Sequence, residues 1–290
     1  MVTIACVPAY NEERKLPALI KELFQYVDKV IVCDDGSTDK TTDAAEKAGA
    51  TVIVHGNNMG KGAALKSMFN YVKDLNFEAL VTIDGDGQFL PSEIPRLVEP
   101  IKQNKYDVVI GYRFADAEMP GYRKFGNKLL DKLTNAASDL PFRDTQSGYR
   151  AYTKKAIRQI SFTAKGFGAD SEILVSASRH ALRIGEEKVT VKYDTGGATS
   201  TRHPLAHGTD VIALLLELIA VKHPLAYLGL PGLFLVIIGV LFSVVVISLF
   251  NETRYFSVPN TLLSFGSLFI GILLILTAVI LFAISRLLRR

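Results

Sequence analysis

The end of the chain sets the first constraint on what it can fold into. Leu225 to Phe250 and Thr261 to Ile284 contain no Asp, Glu, Lys or Arg. Each run exceeds the roughly 20 residues that a helix needs to cross a bilayer core. Uncharged runs of this length are rare in water-soluble cores, so they read as a membrane hairpin and not as a buried helix pair. The connector, Asn251 to Asn260, carries one Glu and one Arg, and the chain closes on Arg286-Leu287-Leu288-Arg289-Arg290. Basic flanks stay in the cytoplasm, so the tail belongs there, and two spans return the N-terminal portion to the same side. The expected location is the cell membrane, or the endoplasmic reticulum membrane in a eukaryote.

Upstream of about Val221 the composition changes, and charged and apolar residues alternate as in a soluble domain. A net charge of +4 with 49% hydrophobic residues calls for neither nucleic acid nor disorder. The first residues, Met1 to Val7, lack a basic region and a long apolar core, and read as a strand and not as a signal peptide. Cys6 and Cys33 each lie in an apolar run, which suits buried thiols in a reducing compartment. No Cys/His cluster with zinc spacing is present.

Within this portion, short apolar runs alternate with helical periodicity. The runs are Thr3–Val7, Lys29–Cys33, Thr51–Val54, Ala79–Ile83 and Asp107–Ile110. Helical spacing follows in Glu13–Tyr26, Thr41–Ala48, about Ala63–Val72 and the stretch after Pro91. Strand–helix repetition predicts an α/β domain with a mostly parallel sheet. Ligands of such sheets bind beyond the carboxyl ends of the strands. Tyr10, Asp35, Lys61, Asp84, Asp86 and Arg113 all follow strand ends, so they should gather on one edge.

Asp84-Gly85-Asp86-Gly87-Gln88 is the centre of that edge. Two carboxylates one residue apart repel unless a cation sits between them. With the Gln88 amide they form a hard-oxygen set suited to Mg²⁺ or Mn²⁺. A plain polar turn is the competing reading, because Asp-Gly pairs form turns. Tyr10 offers an aromatic face to a base, and Asp35 an acceptor for a base N–H or a ribose hydroxyl. Arg113, Arg123 and Arg202 match phosphate oxygens. Gly60-Lys61-Gly62 is not a P-loop, since it lacks the spacing between glycines and the Ser/Thr after the lysine. His55, His180 and His223 read as structural or exposed; His203 and His207, near Arg202, are the better phosphate candidates.

Further on, Tyr122 to Ala137 is amphipathic, either an ordinary surface helix or one lying on a membrane with Lys124, Lys128 and Lys132 towards headgroups. Asp170 and Glu172 open another helix, where caps and dipole partners are expected. Lys188 to Tyr193 reads as a strand, Thr195 to His207 as a loop, and Leu205 to Val221 as an amphipathic segment. The domain plan is therefore 1–204, an interfacial helix over 205–223, and two spans within 224–290.

Val7-Pro8-Ala9-Tyr10-Asn11-Glu12, Cys33-Asp34-Asp35-Gly36-Ser37-Thr38-Asp39 and Asp84-Gly85-Asp86-Gly87-Gln88 resemble the signatures of family 2 inverting glycosyltransferases with a GT-A fold. Within them the chain is most similar to polyprenyl-phosphate enzymes of the dolichyl-phosphate mannose or glucose synthase group, from about Thr3 to Val221. The resemblance implies that Pro8, Tyr10, Glu12, Cys33 and Asp35 hold the nucleoside. It places Asp84, Asp86 and Gln88 on the metal and Gly85 close to the diphosphate. Arg113 would lie between donor and acceptor phosphates, with Arg123 and Asn127 on the acceptor phosphate and Arg202 closing over the donor. Asp86, Arg113 and Arg123 would be the catalytic set. Relatives often carry Ser where Asn127 stands, and mannose synthases carry an Arg where this chain has Gly196-Gly197. UDP-glucose, UDP-N-acetylglucosamine and GDP-mannose all stay open as donors.

The implied reaction transfers a hexose to polyprenyl or dolichyl phosphate with inversion. A phosphate monoester has its second pKa at about 6, so the acceptor is already anionic and needs no strong base. A hydroxyl acceptor would need one, with Asp144 or Asp170 as candidates. A non-catalytic nucleotide-sugar-binding subunit is the third reading. One hairpin is too little to enclose a polysaccharide channel unless the protein forms a homo-oligomer. Partners are the nucleotide sugar, the lipid phosphate and the bilayer.

Overall fold

The computed structural model describes residues 2–113, 121–138, 141–163, 168–192 and 223–287, with 121–129 and 285–287 described by their backbone alone. The chain divides into two compact units, Met1–Leu215 and Leu216–Arg290.

The first unit is an α/β sandwich. Its strands are β1 (Thr3–Ala9), β2 (Lys29–Asp34), β3 (Thr51–Val54), β4 (Ala79–Thr82), β5 (Val108–Arg113), β6 (Arg150–Tyr152) and β7 (Ile184–Val189). They form a seven-stranded sheet in the order β3-β2-β1-β4-β6-β5-β7. Every pairing is parallel except those of β6, which runs antiparallel to both β4 and β5. The helices are α1 (Leu16–Leu23), α2 (Thr41–Lys47), α3 (Lys61–Val72), α4 (Ile94–Lys102), α5 (Gly121–Ser138), α6 (Lys154–Gln159) and α7 (Gly168–Arg179).

Side chains alternate across the strands, and that alternation makes two cores. Ala5, Val7, Val30, Val32 and Val81 face Leu16, Ile20, Leu23, Ile94 and Leu97 of α1 and α4. Ile4, Cys6, Ile31, Cys33 and Leu80 face Leu65, Met68, Phe69 and Ile173 of α3 and α7. Each fully buried aliphatic or aromatic side chain contributes about 1.5–3 kcal/mol of transfer free energy. Cys6 and Cys33 are buried free thiols, as their apolar setting predicted.

Two boundaries differ from expectation. Helix α1 starts at Leu16 and not at Glu13, because residues 12–15 form a turn in which Glu12 O accepts from the N–H of Leu16 at 3.0 Å. Pro17 then occupies the first helical turn, where its missing N–H costs nothing. The last strand lies at Ile184–Val189 and not at Lys188–Tyr193. It is a sheet edge, and edge strands tolerate charges such as Glu186, Glu187 and Lys188.

In the second unit a π-helical turn, Leu225–Gly229, leads into α8 (Leu230–Thr253), and α9 spans Val258–Leu287. Both are long and apolar enough to cross a membrane. At about 1.5 Å per residue, 24 residues reach past the ~30 Å hydrocarbon core. The helices extend into the expected connector, which shrinks to residues 254–257. Their backbones meet at glycines: a β-carbon on Gly232 would stand 2.8 Å from Gly271 O, and one on Gly271 2.7 Å from Gly232 O. Ser243 and Ser264 hydrogen-bond across the pair at 2.6 Å. Ser264 also bonds Gly239 O at 3.0 Å, and small residues with such polar bridges are what hold helices together where the surroundings are as apolar as the contact.

Candidate active site

Strands β1 to β5 deliver their carboxyl ends to one rim of the sheet, and antiparallel β6 begins at that same rim. The loops after β1 and β2 are laced together there. Asn11, at φ 56°, accepts from Thr38 N–H at 2.8 Å, while its own N–H donates to Ser37 Oγ at 2.8 Å. Glu12 N–H donates to Thr41 Oγ1 at 2.8 Å, and Lys40 N–H to Glu13 Oε2 at 3.0 Å. Asp34, buried, accepts from Ser37 N–H at 2.9 Å and from the Thr42 hydroxyl. Gly36 sits at φ +72° with its α-carbon against the Asn57 backbone, where a side chain has neither room nor a relaxed conformation.

Asp35 is 4% exposed. Its Oδ1 accepts from Met59 N–H at 3.0 Å and from His55 Nδ1 at 2.7 Å, and its Oδ2 from Gly60 N–H at 2.6 Å. Pro8 lies opposite Cys33 in the β1–β2 register, and Cys33 is buried with its thiol pushed up to about 12, first by burial and then by Asp35 and Asp34. Tyr10 follows β1 and is half-buried.

The loop after β4 carries the carboxylate pair. Gly85 lies close to β1, since a β-carbon there would be 3.0 Å from Pro8 O. Asp84 Oδ1 pairs with Lys61 Nζ at 2.8 Å, and the same ammonium pairs with Asp170 Oδ2 at 3.0 Å. Burial pulls Lys61 down, but Asp170 and Asp84 outweigh it and its pKa stands above the ordinary lysine value. Asp86 is raised, first by burial and next by the charge of Asp84, against the Gln88 N–H that donates to its Oδ1 at 3.0 Å. Glu12 is raised by burial, with Lys15 lowering it and Asp86 adding repulsion. Gln88 is anchored through its own carbonyl, which accepts from Lys192 N–H at 2.9 Å. Gly148 leaves the Lys61–Asp84 pair its room: a β-carbon there would lie 2.5 Å from Lys61 Nζ and 2.6 Å from either Asp84 oxygen. Asp84 and Asp86 are thus partly exposed hard-oxygen donors whose mutual repulsion Lys61 offsets only in part, since Asp86 stays raised, and such a pair suits a divalent cation. Among the described residues no group of three or more His, Cys, Asp or Glu side chains makes a self-sufficient metal centre, so a cation on this pair needs further ligands from outside it.

On the β5 side, Arg113 grips Asp144 with both arms, Nε to Oδ2 at 2.7 Å and Nη2 to Oδ1 at 2.8 Å, and its N–H donates to Oδ2 as well. Asp131 Oδ1 accepts from the Thr145 N–H at 2.8 Å and hydroxyl at 2.7 Å. Burial pushes Asp131 up to about 6, against those two bonds; Asp144 adds to the rise and Arg113 opposes it. Beneath them Arg150 is fully buried and donates to Thr145 O at 2.7 Å and Asp170 O at 2.8 Å. It pins the Asp144–Gly148 loop and the start of α7 to the rim.

The structure therefore brings Pro8, Tyr10, Glu12, Cys33, Asp35, Asp84, Gly85, Asp86, Gln88 and Arg113 to one rim. Arg123 and Asn127 lie on α5 with side chains outside the described residues, and Arg202, His203 and His207 lie outside them altogether, as does the segment 205–221. His55 is held between Asp35 and Ser67 Oγ, the latter at 2.8 Å. Sequence reasoning took Asp170 for a helix-end partner or, with a hydroxyl acceptor, a candidate base, and passed over Asp131 and Arg150. An arginine inside an apolar strand, Tyr149-Arg150-Ala151-Tyr152, was the one available signal.

Residues 4–161 match the family described as Glycosyl transferase family 2. The chain is 29% identical to the UDP-N-acetylglucosamine–dolichyl-phosphate N-acetylglucosaminyltransferase of Methanococcus voltae, over 71% of this chain and 89% of that one. It is 30% identical to the undecaprenyl-phosphate mannosyltransferase of Micrococcus luteus, over 66% and 83%. Among solved structures, glucosyl-3-phosphoglycerate synthase from Mycobacterium tuberculosis, in complex with Mn²⁺, UDP and phosphoglyceric acid, superposes with a TM-score of 0.58 at 23% identity, covering 75% and 78% of the two chains. The likeness in fold extends the likeness in motifs, and the chain is a GT-A glycosyltransferase of family 2.

Proposed function

We propose that this protein is a membrane-bound, metal-dependent hexosyltransferase that moves a sugar from a nucleotide diphosphate to a polyprenyl or dolichyl phosphate with inversion. The observation that carries the reading is the state of the rim carboxylates. Asp144 is gripped by Arg113 and Asp170 by Lys61, so neither is disposed to take a proton from a hydroxyl. An acceptor that arrives already ionised, as a phosphate monoester does, removes that need. The relatives named for dolichyl and undecaprenyl phosphate point the same way.

In this reading Asp84 and Asp86, with Gln88, hold Mg²⁺ or Mn²⁺, which supplies charge neutralisation to the departing diphosphate. Pro8, Tyr10, Glu12, Cys33 and Asp35 seat the nucleoside. Arg113, with Arg123 and Asn127 from α5, holds the acceptor phosphate near the donor, and Arg202 covers the donor. One phosphate oxygen of the acceptor bonds to the anomeric carbon as the bond from that carbon to the diphosphate breaks. No proton moves. Holding two anions in line is the protein's contribution. The two apolar helices would hold the enzyme at the bilayer that contains its acceptor, and the positive-inside rule supports a catalytic unit on the cytoplasmic side. The product is a lipid-linked sugar of the kind that protein glycosylation consumes.

A hydroxyl acceptor is the second reading, and Asp131 favours it. Its pKa of about 6 suits a general base, and among the described residues it is in no ion pair.

The test is a radiolabel transfer assay on the purified full chain in detergent, with polyprenyl phosphate, Mn²⁺ or Mg²⁺, and UDP-glucose, UDP-N-acetylglucosamine or GDP-mannose in turn. Label entering the organic phase only with lipid phosphate and metal supports the proposal. Transfer to a hydroxyl lipid, abolished in Asp131→Asn, would replace it with the second reading. Donor binding without any transfer would leave a nucleotide-sugar-binding subunit.

A further inference from the structure

We propose that the Asp35 carboxylate selects a uridine diphosphate sugar over a guanosine one, and that His55 is the positioning residue that sets the choice. The inference rests on the reading of Asp35 as a base contact. A carboxylate offers about four lone-pair directions, two on each oxygen. Three are taken inside the protein. Oδ1 is filled by Met59 N–H and His55 Nδ1, and Oδ2 holds Gly60 N–H. One acceptor position is left, on Oδ2.

The two bases ask for different things. The hydrogen-bonding edge of guanine presents two parallel donors, N1–H and the exocyclic N2–H, which need one free lone pair on each carboxylate oxygen. Uracil presents one, the imide N3–H. With Oδ1 filled, the open position on Oδ2 can accept the uracil N3–H, whereas guanine keeps one donor unmet, a loss that binding sites reject strongly.

The arrangement is fixed and not adventitious. A carboxylate only accepts, so His55 Nδ1 carries the proton, and Nε2 is engaged by Ser67 Oγ at 2.8 Å. The imidazole is 10% exposed and is held from both ring nitrogens. The other two donors are backbone amides, one of them presented by Gly60 at φ 94°. They hold the carboxylate in place whatever stands at position 55. Removing the imidazole therefore frees a lone pair on Oδ1 without turning Asp35.

The experiment measures UDP and GDP affinity by competition against a labelled nucleotide, on the full chain in detergent with Mn²⁺. His55→Ala and the bulk-retaining His55→Phe are measured beside the parent, each checked for folding by its thermal melt. The expected result is UDP at least tenfold tighter than GDP in the parent, with the ratio falling towards one in both variants. Should either variant fail to fold, the parent ratio still decides base selection. Equal affinities or a GDP preference in the parent overturn the inference and leave the glycosyltransferase reading standing. A UDP preference unchanged in both folded variants removes His55 from it. Binding of neither nucleotide overturns the reading on which the inference rests.

Discussion

The two sides of the rim are built differently. Around β1 and β2, the carboxylates Asp34, Asp35 and Asp39 are satisfied mainly by backbone N–H groups and hydroxyls. Around β4, β5 and β6, the carboxylates Asp84, Asp144 and Asp170 are met by the cations Lys61 and Arg113. Amide-bonded carboxylates define a shape that survives whether or not a ligand is present. Ion-paired ones define a charge balance that an incoming cation or phosphate must redistribute. The first side suits recognition of a neutral base, and the second suits a reaction in which anions meet.

Four substitutions test that contrast. The largest effect is expected at Asp86→Ala, which removes half of the carboxylate pair; transfer should fall roughly a thousandfold or more with donor affinity in the presence of metal also reduced, several kcal/mol of transition-state stabilisation. Near-full metal-dependent turnover would deny the charged side its role. Asp144→Ala comes next, because it removes the carboxylate that both arms of Arg113 grip, and the Arg113 side chain is only 19% exposed. Losing one partner of a largely buried pair costs about 3 kcal/mol, read as a lower denaturation midpoint; an unchanged midpoint would mean the pair carries no structural weight. Gly36→Ala strikes the other side. The strained φ and the contact with the Asn57 backbone should cost about 2 kcal/mol and loosen nucleotide binding, while the metal affinity of the donor-free protein stays put. If metal affinity fell equally, the two sides would not be separate. Smallest is Asp131→Asn. Its folded pKa of about 6 lies above the ordinary carboxylate value, so its contribution to stability is full below about pH 4 and is lost as pH rises through 6. Asn keeps the oxygen that Thr145 needs, so the variant should flatten the dependence of melting temperature on pH between 4 and 7. A parent-like slope would assign that dependence elsewhere.

Much of this was legible in the sequence because it is local. The apolar runs of β1 to β5 and the polar loops after them predicted the parallel sheet and the gathering of Asp35, Lys61, Asp84, Asp86 and Arg113. The charge-free runs predicted the two long helices of the second unit. What escaped is non-local. Lys61 and Asp170 lie 109 residues apart, and nothing near either names the other. The direction of β6 depends on where the chain returns after α5, not on the three residues that form the strand. Strand β7 was placed too late because its charges mask a strand that only an edge position allows.

That reversal of β6 has a consequence for how the rim is put together. The chain leaves the rim at Arg113, travels through α5 and comes back to the rim at Gly148 before entering β6. The excursion begins and ends at the same place, on the charged side, while the bond between the β1 and β2 loops is untouched by it. The stretch touches the rim at both ends, through Arg113–Asp144 at one and Gly148 at the other. Under the proposed function it is one continuous piece of sequence that would meet the acceptor, tied to the carboxylate pair where Gly148 packs on Asp84.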